Sequence, residues 1–586
     1  MRRLLPLLLA TCVPALLSAS PAPNEDARFR AVAGDFIAGL ERLHPATATY
    51  LGEHRYDAQV EDLSATGRAR DAAFLRGELT RLGTIDRSKL TRDDQVDAAL
   101  LGNELCYRLW QIDTLQDWRW DPQGANEVIS GGLYLLAARA FAPWPDRLRS
   151  ATARMEQAPA MYAAMRGSLD PERVPLIHAQ TVAAQNAGAL QIAETMLSPH
   201  KGELPVAEQA RFDRALATLR GAVAEQQHWL DTVLVPQAKG DFRLGPALYD
   251  RKLAFALDTD LTRAEIKARA VQAVADTRAQ MYALARRVLS GRAPPMPATP
   301  TAAQQQTAIE SALALTYANR PARDGVIAAA SRAVSDATEF VRSRALVTLP
   351  DSPVQVIEMP KFRQGVAVAY CDSPGPLEPQ LGTFFAVSPI PAAWTGAQTD
   401  SFLREYNSEM IQDLAIHEAM PGHYLQLAHA NSGGSPLRAV LASGPFVEGW
   451  AVYAEEMMAD EGYKGGDELL KLTVLKMRLR SITNTLLDIG LHAEGMTEQQ
   501  AMDLMVHTAF QQEREAAGKW TRARLSSTQL LSYFTGYSEH TDLRRAVEAR
   551  EGKAFDLHRY NDAVLAHGSP PVRYVRALML GEPIAP

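Results

Sequence analysis

His417-Glu418-Ala419-Met420-Pro421-Gly422-His423 reads as a metal-binding helix into which two residues have been pushed. In the H-E-x-x-H arrangement two histidines four apart share one helix face and bind zinc, and the intervening Glu acts on water. Here the histidines are six apart. A regular helix turns about 100° per residue, so positions six apart point about 120° away from one another. Rings so placed would not meet at one ion about 2.0–2.1 Å from each nitrogen. Pro421 resolves the conflict. It has no N–H for the carbonyl of His417, and its ring crowds that carbonyl. Gly422 tolerates backbone angles that other residues resist. A bulge at Pro421-Gly422 would shorten the step to an effective four and return His423 beside His417. His417-Glu418 is the only His-Glu dipeptide among 13 histidines. The competing reading is two helix-boundary histidines making ordinary hydrogen bonds.

A catalytic zinc needs a third protein ligand and one open position. Glu448, in Phe446-Val447-Glu448-Gly449-Trp450-Ala451, stands before a strongly helical run, Ala451 to Met458, and is the leading candidate. Glu455 and Glu456 compete with it. Glu455, seven residues on, faces the same way as Glu448 and suits second-layer support of a metal-bound histidine. Tyr424, Gln426 and His429 are expected to pack around the site helix.

Upstream of the motif the texture changes twice. Residues 24–347 read as successive amphipathic helices, with apolar residues at three- and four-residue spacing, as in Phe36, Leu40 and Leu43. Prolines punctuate them at Pro143-Trp144-Pro145, Asp170-Pro171, Ser198-Pro199 and Pro294 to Pro300. Val354-Gln355-Val356-Ile357, then Gly365 to Tyr370, then Thr383 to Val387 are β-prone runs bounded by Pro and Gly. They predict a small sheet inserted before the site helix, either a packing sheet or one whose free edge binds an extended peptide. Helical texture returns near Asp400 and holds to the end. The expected fold class is therefore mainly α, with a helical N-terminal region (24–347) and a region of small sheet plus metal-site helices (348–586).

The 586 residues carry 47% hydrophobic and 22% charged side chains, ordinary for a globular protein, and a net charge of -7 without a basic run. Nucleic acid is not an expected partner. Residues 1–23 read as a signal peptide: Arg2 and Arg3, an apolar stretch from Leu4 to Leu17, then Ser18-Ala19-Ser20. The stretch is short of the ~20 residues that a membrane span needs, so no transmembrane span is expected in the mature chain. Leu9-Ala10-Thr11-Cys12 weakly matches a lipoprotein box, so the expectation is export, periplasmic or secreted, with lipid anchoring at Cys12 as the alternative. Cys106 and Cys371 remain after processing. Buried free thiols are the default, and pairing stays open.

The segment His417 to Gln426 closely resembles the signature of the bacterial "domain of unknown function 885" family. So do Glu448 to Glu455, Leu487 to His492, Gln529 to Tyr533, and Pro45-Ala46-Thr47 with Leu51 to Asp57, so the similarity spans nearly the whole exported chain. The resemblance implies an exported protein or lipoprotein and a zinc peptidase whose third ligand is Glu. More distantly the chain is similar to the thimet oligopeptidase group, in which a ligand Glu in a Phe-x-Glu context follows the His-Glu helix at a like distance. Here 448 − 423 = 25 residues, and Phe446-Val447-Glu448 has that form. The two additional motif residues depart from that group. A large multi-helix, zincin-like architecture follows from the resemblance, with both regions forming one unit around a cleft.

The expected function is that of an exported metallopeptidase cutting short peptides. One Zn2+ would sit on His417, His423 and Glu448, and Glu418 would assist attack by zinc-bound water. Tyr533, in the resembling segment, is the first choice to stabilise the oxyanion, and Tyr537 the second. Ser526-Ser527-Thr528 stands where Pro-Gly is expected before Gln529. His492 and His567 are candidates for substrate contact or proton handling. The alternatives are a zinc hydrolase of non-peptide amides or esters, and a non-catalytic exported helical binding protein. No Gly-x-Ser-x-Gly occurs to support a serine hydrolase.

Overall fold

Helices precede and follow a three-stranded sheet in the computed structural model, which describes residues 24–359 and 368–585. The signal segment 1–23 with Cys12, and Gly365 to Ala367 of the second expected strand, fall outside the described residues. Among the described residues no helix is long and apolar enough to cross a membrane. The architecture is mainly helical, as the sequence texture predicts.

The strands are β1 (Gln355–Glu358), β2 (Ala369–Asp372) and β3 (Phe384–Val387). Their order is β1-β3-β2, with β1 parallel and β2 antiparallel to β3. β2 begins later than the expected run at 365–370. Its register pairs Cys371 with Phe385 and Asp372 with Phe384. Asp is a poor strand former, but its side chain is held from outside the sheet. Arg139 Nη2 donates to Asp372 Oδ1 at 2.6 Å, and the Tyr134 hydroxyl donates to Oδ2 at 3.3 Å. Both come from the end of the helix Gln123–Ala138, so the N-terminal region clamps the strand.

Packing does not divide the chain near residue 347. One apolar cluster runs from Ala270 through Ala333, Ile416, Trp450 and Leu479 to Val575. The helix Val326–Arg344 buries Ala330, Ala333 and Ala337 and packs against the helix Ser408–Glu418. Small side chains permit that close approach, so the helices before residue 347 are part of the metal-site core. The first helices form a separate cluster, with Phe36 and Leu40 buried among Leu101, Leu105 and the distant Leu437. Buried Arg438 closes this joint, its Nε donating to Asp97 Oδ1 at 2.5 Å. Cys106 and Cys371 are both free thiols.

Candidate metal centre

The motif folds as two helices and a bulge. Ser408–Glu418 ends at Ala419, whose φ of -121° and ψ of -81° leave the helix, and His423–Ser432 begins five residues after Glu418. Pro421 has no donor, so the hydrogen bonds skip. Met420 N–H donates to Ala415 O, and Gly422 N–H reaches back six residues to Ile416 O at 2.9 Å. A Cβ at Gly422 would lie 1.9 Å from the His417 carbonyl oxygen, so only glycine fits this crossing. The indole Nε1–H of Trp450 donates to the Pro421 carbonyl at 2.9 Å and pins the bulge from a neighbouring helix. The rings of His417 and His423 consequently stand 4.7 Å apart between centroids, nearly perpendicular at 83°.

Glu448 comes from that neighbouring helix, Gly444–Asp460, which starts earlier than the run beginning at Ala451 suggests. Gly449 and Gly536 meet backbone to backbone where this helix crosses Ser532–Glu551, and a Cβ on Gly536 would lie 1.8 Å from Pro445 O. Glu448 Oε2 lies 3.4 Å from His423 Nε2 and 3.7 Å from His417 Nε2. Two donors each about 2.0–2.1 Å from a tetrahedral ion stand about 3.3–3.4 Å apart. These separations are therefore long for strong hydrogen bonds and close to those of ligands sharing an ion. Among the described residues the three side chains form the one His/Cys/Asp/Glu group with ligand atoms all within 4.8 Å. Two imidazoles and a carboxylate suit zinc. Burial opposes ionisation of Glu448, but His417 and His423 outweigh it and hold its carboxyl far below the usual range.

Behind His417 stands Glu455, 3% exposed, its Oε1 2.6 Å from His417 Nδ1. That contact places the ring proton on Nδ1 and turns the Nε2 lone pair to the site. Asp413, one turn before His417, is fully buried, and neither carboxylate oxygen has a hydrogen-bond partner. Burial, and then the charge of Glu455, push its carboxyl well above the normal range. The sequence reading missed Asp413, although its i, i+4 relation to His417 puts both on one face. Glu418 points the other way, to the sheet. Its Oε2 accepts the Cys371 N–H at 2.9 Å, and that amide lies on the edge of β2 not paired with β3. Burial pushes the Cys371 thiol up to about 12, which keeps it neutral.

The supporting candidates separate. Tyr533 sits in the first turn of Ser532–Glu551, where burial and the nearby charge of Glu448 raise its hydroxyl pKa. Its oxygen accepts from Arg522 Nη2 at 3.3 Å. The Tyr537 hydroxyl is taken up by Glu456 and Arg478. His492 Nε2 bonds the Ala523 carbonyl at 2.9 Å and its ring lies parallel to Tyr249, so it holds the last turn of the helix Glu513–Leu525. His567 lies beside Arg438 and Asp93, and burial lowers its pKa first. Neither histidine joins the trio. Gln426 donates to Ser569 Oγ, and His429 Nε2 lies 2.7 Å from the Thr348 carbonyl. No sequence signal assigns Trp450 its role, because nothing local tells an indole which distant carbonyl it will meet.

Residues 45–579 match the profile of the family described as bacterial protein of unknown function (DUF885). The chain belongs to that family. No curated protein matches it. Among solved structures it is similar to a candidate lipoprotein of unknown function from Shewanella oneidensis, at 34% identity and a TM-score of 0.80. That match covers 94% of this chain and 99% of the other. A candidate lipoprotein from Colwellia psychrerythraea, 15% identical, shares the fold with a TM-score of 0.77 over 95% of this chain and 99% of its own.

Proposed function

We propose that this member of the DUF885 family is an exported zinc metallopeptidase with a zincin-like site that hydrolyses short peptides. One observation carries the reading. His417 Nε2, His423 Nε2 and Glu448 Oε2 converge near the spacing of ligands on a tetrahedral ion, and Glu418, next to His417 in the chain, stands outside the ligand set but close enough for its charge to act on His417. A purely structural role would need that carboxylate for the Cys371 amide alone, which takes one of its two oxygens. Export is favoured by the apolar leader and by the likeness to candidate lipoproteins.

His417, His423 and Glu448 would hold the ion and leave one position open. Zinc in that place supplies a Lewis acid that polarises a carbonyl and lowers the pKa of water. Glu418 takes the proton of the attacking water and delivers it to the leaving nitrogen. The Cys371 amide engages only its Oε2, which orients the carboxylate and leaves Oε1 for the proton. Glu455 keeps His417 in the required tautomer. Arg522 donates to the Tyr533 oxygen, so the Tyr533 O–H stays free to donate to the developing oxyanion. The outer edge of β2 offers backbone groups to an extended peptide beside Glu418.

The test is metal analysis of the purified full chain, joined to a peptide-library digest with and without chelator. One equivalent of zinc and chelator-sensitive cleavage are expected. Glu418→Gln should keep zinc and lose turnover by roughly 10²–10⁴-fold. Retained turnover in that variant removes Glu418 as the base. Protein that binds no zinc and cuts nothing is a binding protein instead.

A further inference from the structure

Lys519 is 7% exposed in the helix Glu513–Leu525, yet no hydrogen bond or ion pair engages its ammonium among the described residues. The acid one turn before it is already committed. Glu515 pairs with Arg480 and accepts the Tyr406 hydroxyl at 3.2 Å. Arg522, one turn after Lys519 on the same face, is exposed and donates to Gln529 Oε1 at 2.9 Å as well as to Tyr533. Arg480 and Lys519 thus share the Glu515 carboxylate, and Arg522 adds a further positive charge beside Lys519. Burial, then the charges of Arg480 and Arg522, push the Lys519 ammonium well below its ordinary pKa. Glu515 acts on Lys519 only from a distance, and an ammonium largely withdrawn from water with no anion in contact is disfavoured, so the cluster has room for a further negative partner. Its position is informative: Arg522 Nη2 lies 3.3 Å from the Tyr533 hydroxyl, and the helix that begins at Ser532 crosses the Glu448 helix closely at Gly536 and Gly449. The cationic face therefore begins at the wall of the metal centre that carries Tyr533 and runs outward to Arg522.

Resting on the metallopeptidase reading, we propose that Lys519 and Arg522 receive the free C-terminal carboxylate of the peptide substrate. Every unmodified peptide carries this anion once, at its end. A cationic site fixed beside the oxyanion donor would measure the scissile bond from that end, so cleavage falls near the C-terminus and not within long chains. Arg522 at the mouth meets the anion first and presents a planar fork. Lys519 receives it in the drier interior, where the ion pair is stronger. The carboxylate takes no part in the reaction. Water adds across the scissile amide, giving one new carboxylate and one amine.

A side-chain carboxylate offers the same chemistry, so the experiment separates the two sources. Zinc-loaded full chain is given random N-acetylated pentapeptides as free acids, as C-terminal amides, and as amides ending in Glu, with products read by mass spectrometry. The free acids should be cut at least about tenfold faster than the plain amides, at one fixed distance from the C-terminus. Lys519→Met should bring the free-acid rate down toward the amide rate, chiefly through KM. If that variant fails to fold, the acid-to-amide ratio of the unaltered protein still decides. In zinc-loaded Glu418→Gln protein, ultrafiltration should retain the free acids over the amides. Equal cleavage of acids and plain amides overturns the carboxylate site and leaves the peptidase reading standing. Amides ending in Glu cut as fast as the free acids move the site to a side chain and overturn the terminal assignment. Cleavage of none of the three pools overturns the peptidase reading itself.

Discussion

Two backbone departures flank the metal centre, and they are built in opposite ways. At residues 419–422 the chain breaks a helix with the residues that such a break requires. Proline withholds a donor, and glycine admits a carbonyl where any Cβ would collide. At residues 526–528, just before Gln529 and Tyr533, the chain turns without glycine. Thr528 adopts a φ of 65°, a region that disfavours β-branched residues. Partners from elsewhere hold it there. Asp488 Oδ1 accepts the Thr528 N–H at 3.0 Å and the Tyr249 hydroxyl at 2.7 Å, while Lys252 Nζ donates to Ser527 Oγ at 2.7 Å. The first departure is written locally. The second is imposed by the tertiary structure, from one helix near residue 250 and another near residue 488.

This contrast is best broken at Gly422. Gly422→Ala sets a methyl against backbone oxygens of His417 and Ile416, which cannot rotate away. We expect a loss of about 3 kcal/mol or more of stability, and less than one equivalent of zinc retained. Denaturant unfolding and metal analysis read the two effects. A fully stable, fully loaded Gly422→Ala protein would mean that the bulge does not set the ligand geometry.

Asp488→Ala addresses the other departure. It strips two buried donors, Tyr249 Oη–H and Thr528 N–H, of their acceptor. The expected destabilisation is about 2–3 kcal/mol, the low end of what two orphaned groups at about 1–3 kcal/mol each would give, because both relax in part. Here zinc should remain at one equivalent, because none of the three ligands depends on this loop. Turnover should fall with the displacement of Tyr533. Zinc loss in this variant would show that the two regions are coupled, and the contrast would fail.

Trp450→Phe probes the pin. Removing the indole N–H leaves the Pro421 carbonyl without its donor in a buried setting. A loss of about 1–2 kcal/mol is expected, together with weaker zinc retention in a chelator titration. Zinc held as tightly as before would place the whole burden of the bulge on Pro421 and Gly422.

The same division explains what could be read from the chain. The paired histidines, Glu448 and the mainly helical texture were legible, since each follows from spacing, a breaker residue or amphipathic periodicity. The third strand was nearly so, its runs of Phe and Val being strong strand formers. The second strand was expected to end at residue 370 but runs to Asp372, a poor strand former whose side chain is held by Arg139 and Tyr134, more than 200 residues away in sequence. How the regions on either side of residue 347 pack was not legible in the chain. Alanines on Val326–Arg344 look like ordinary helix formers until the helix Ser408–Glu418 lies against them. Lys519 on an amphipathic helix looks solvated until its neighbours are counted. Asp413, Glu455 and Trp450 differ only in whether a local relation to a histidine exists to be noticed.

The finest test exchanges the two solutions. Thr528→Gly supplies at the second departure the residue that the first already has. Relief of the left-handed conformation favours the folded state by about 1–2 kcal/mol. Against this stand the greater freedom of glycine in the unfolded chain, about 0.5–1 kcal/mol, and loss of the Thr528 hydroxyl bond to the Ser527 carbonyl at 2.6 Å. The terms nearly cancel, so stability should change by less than about 1 kcal/mol. Thermal unfolding measures the difference. The same exchange in reverse at Gly422 is expected to be destructive, because that glycine is required by a backbone contact. A large stabilisation by Thr528→Gly would show that Asp488 and Lys252 hold this loop against strain, whereas a large loss would show that the Thr528 hydroxyl, and not the Asp488 carboxylate, sets its shape.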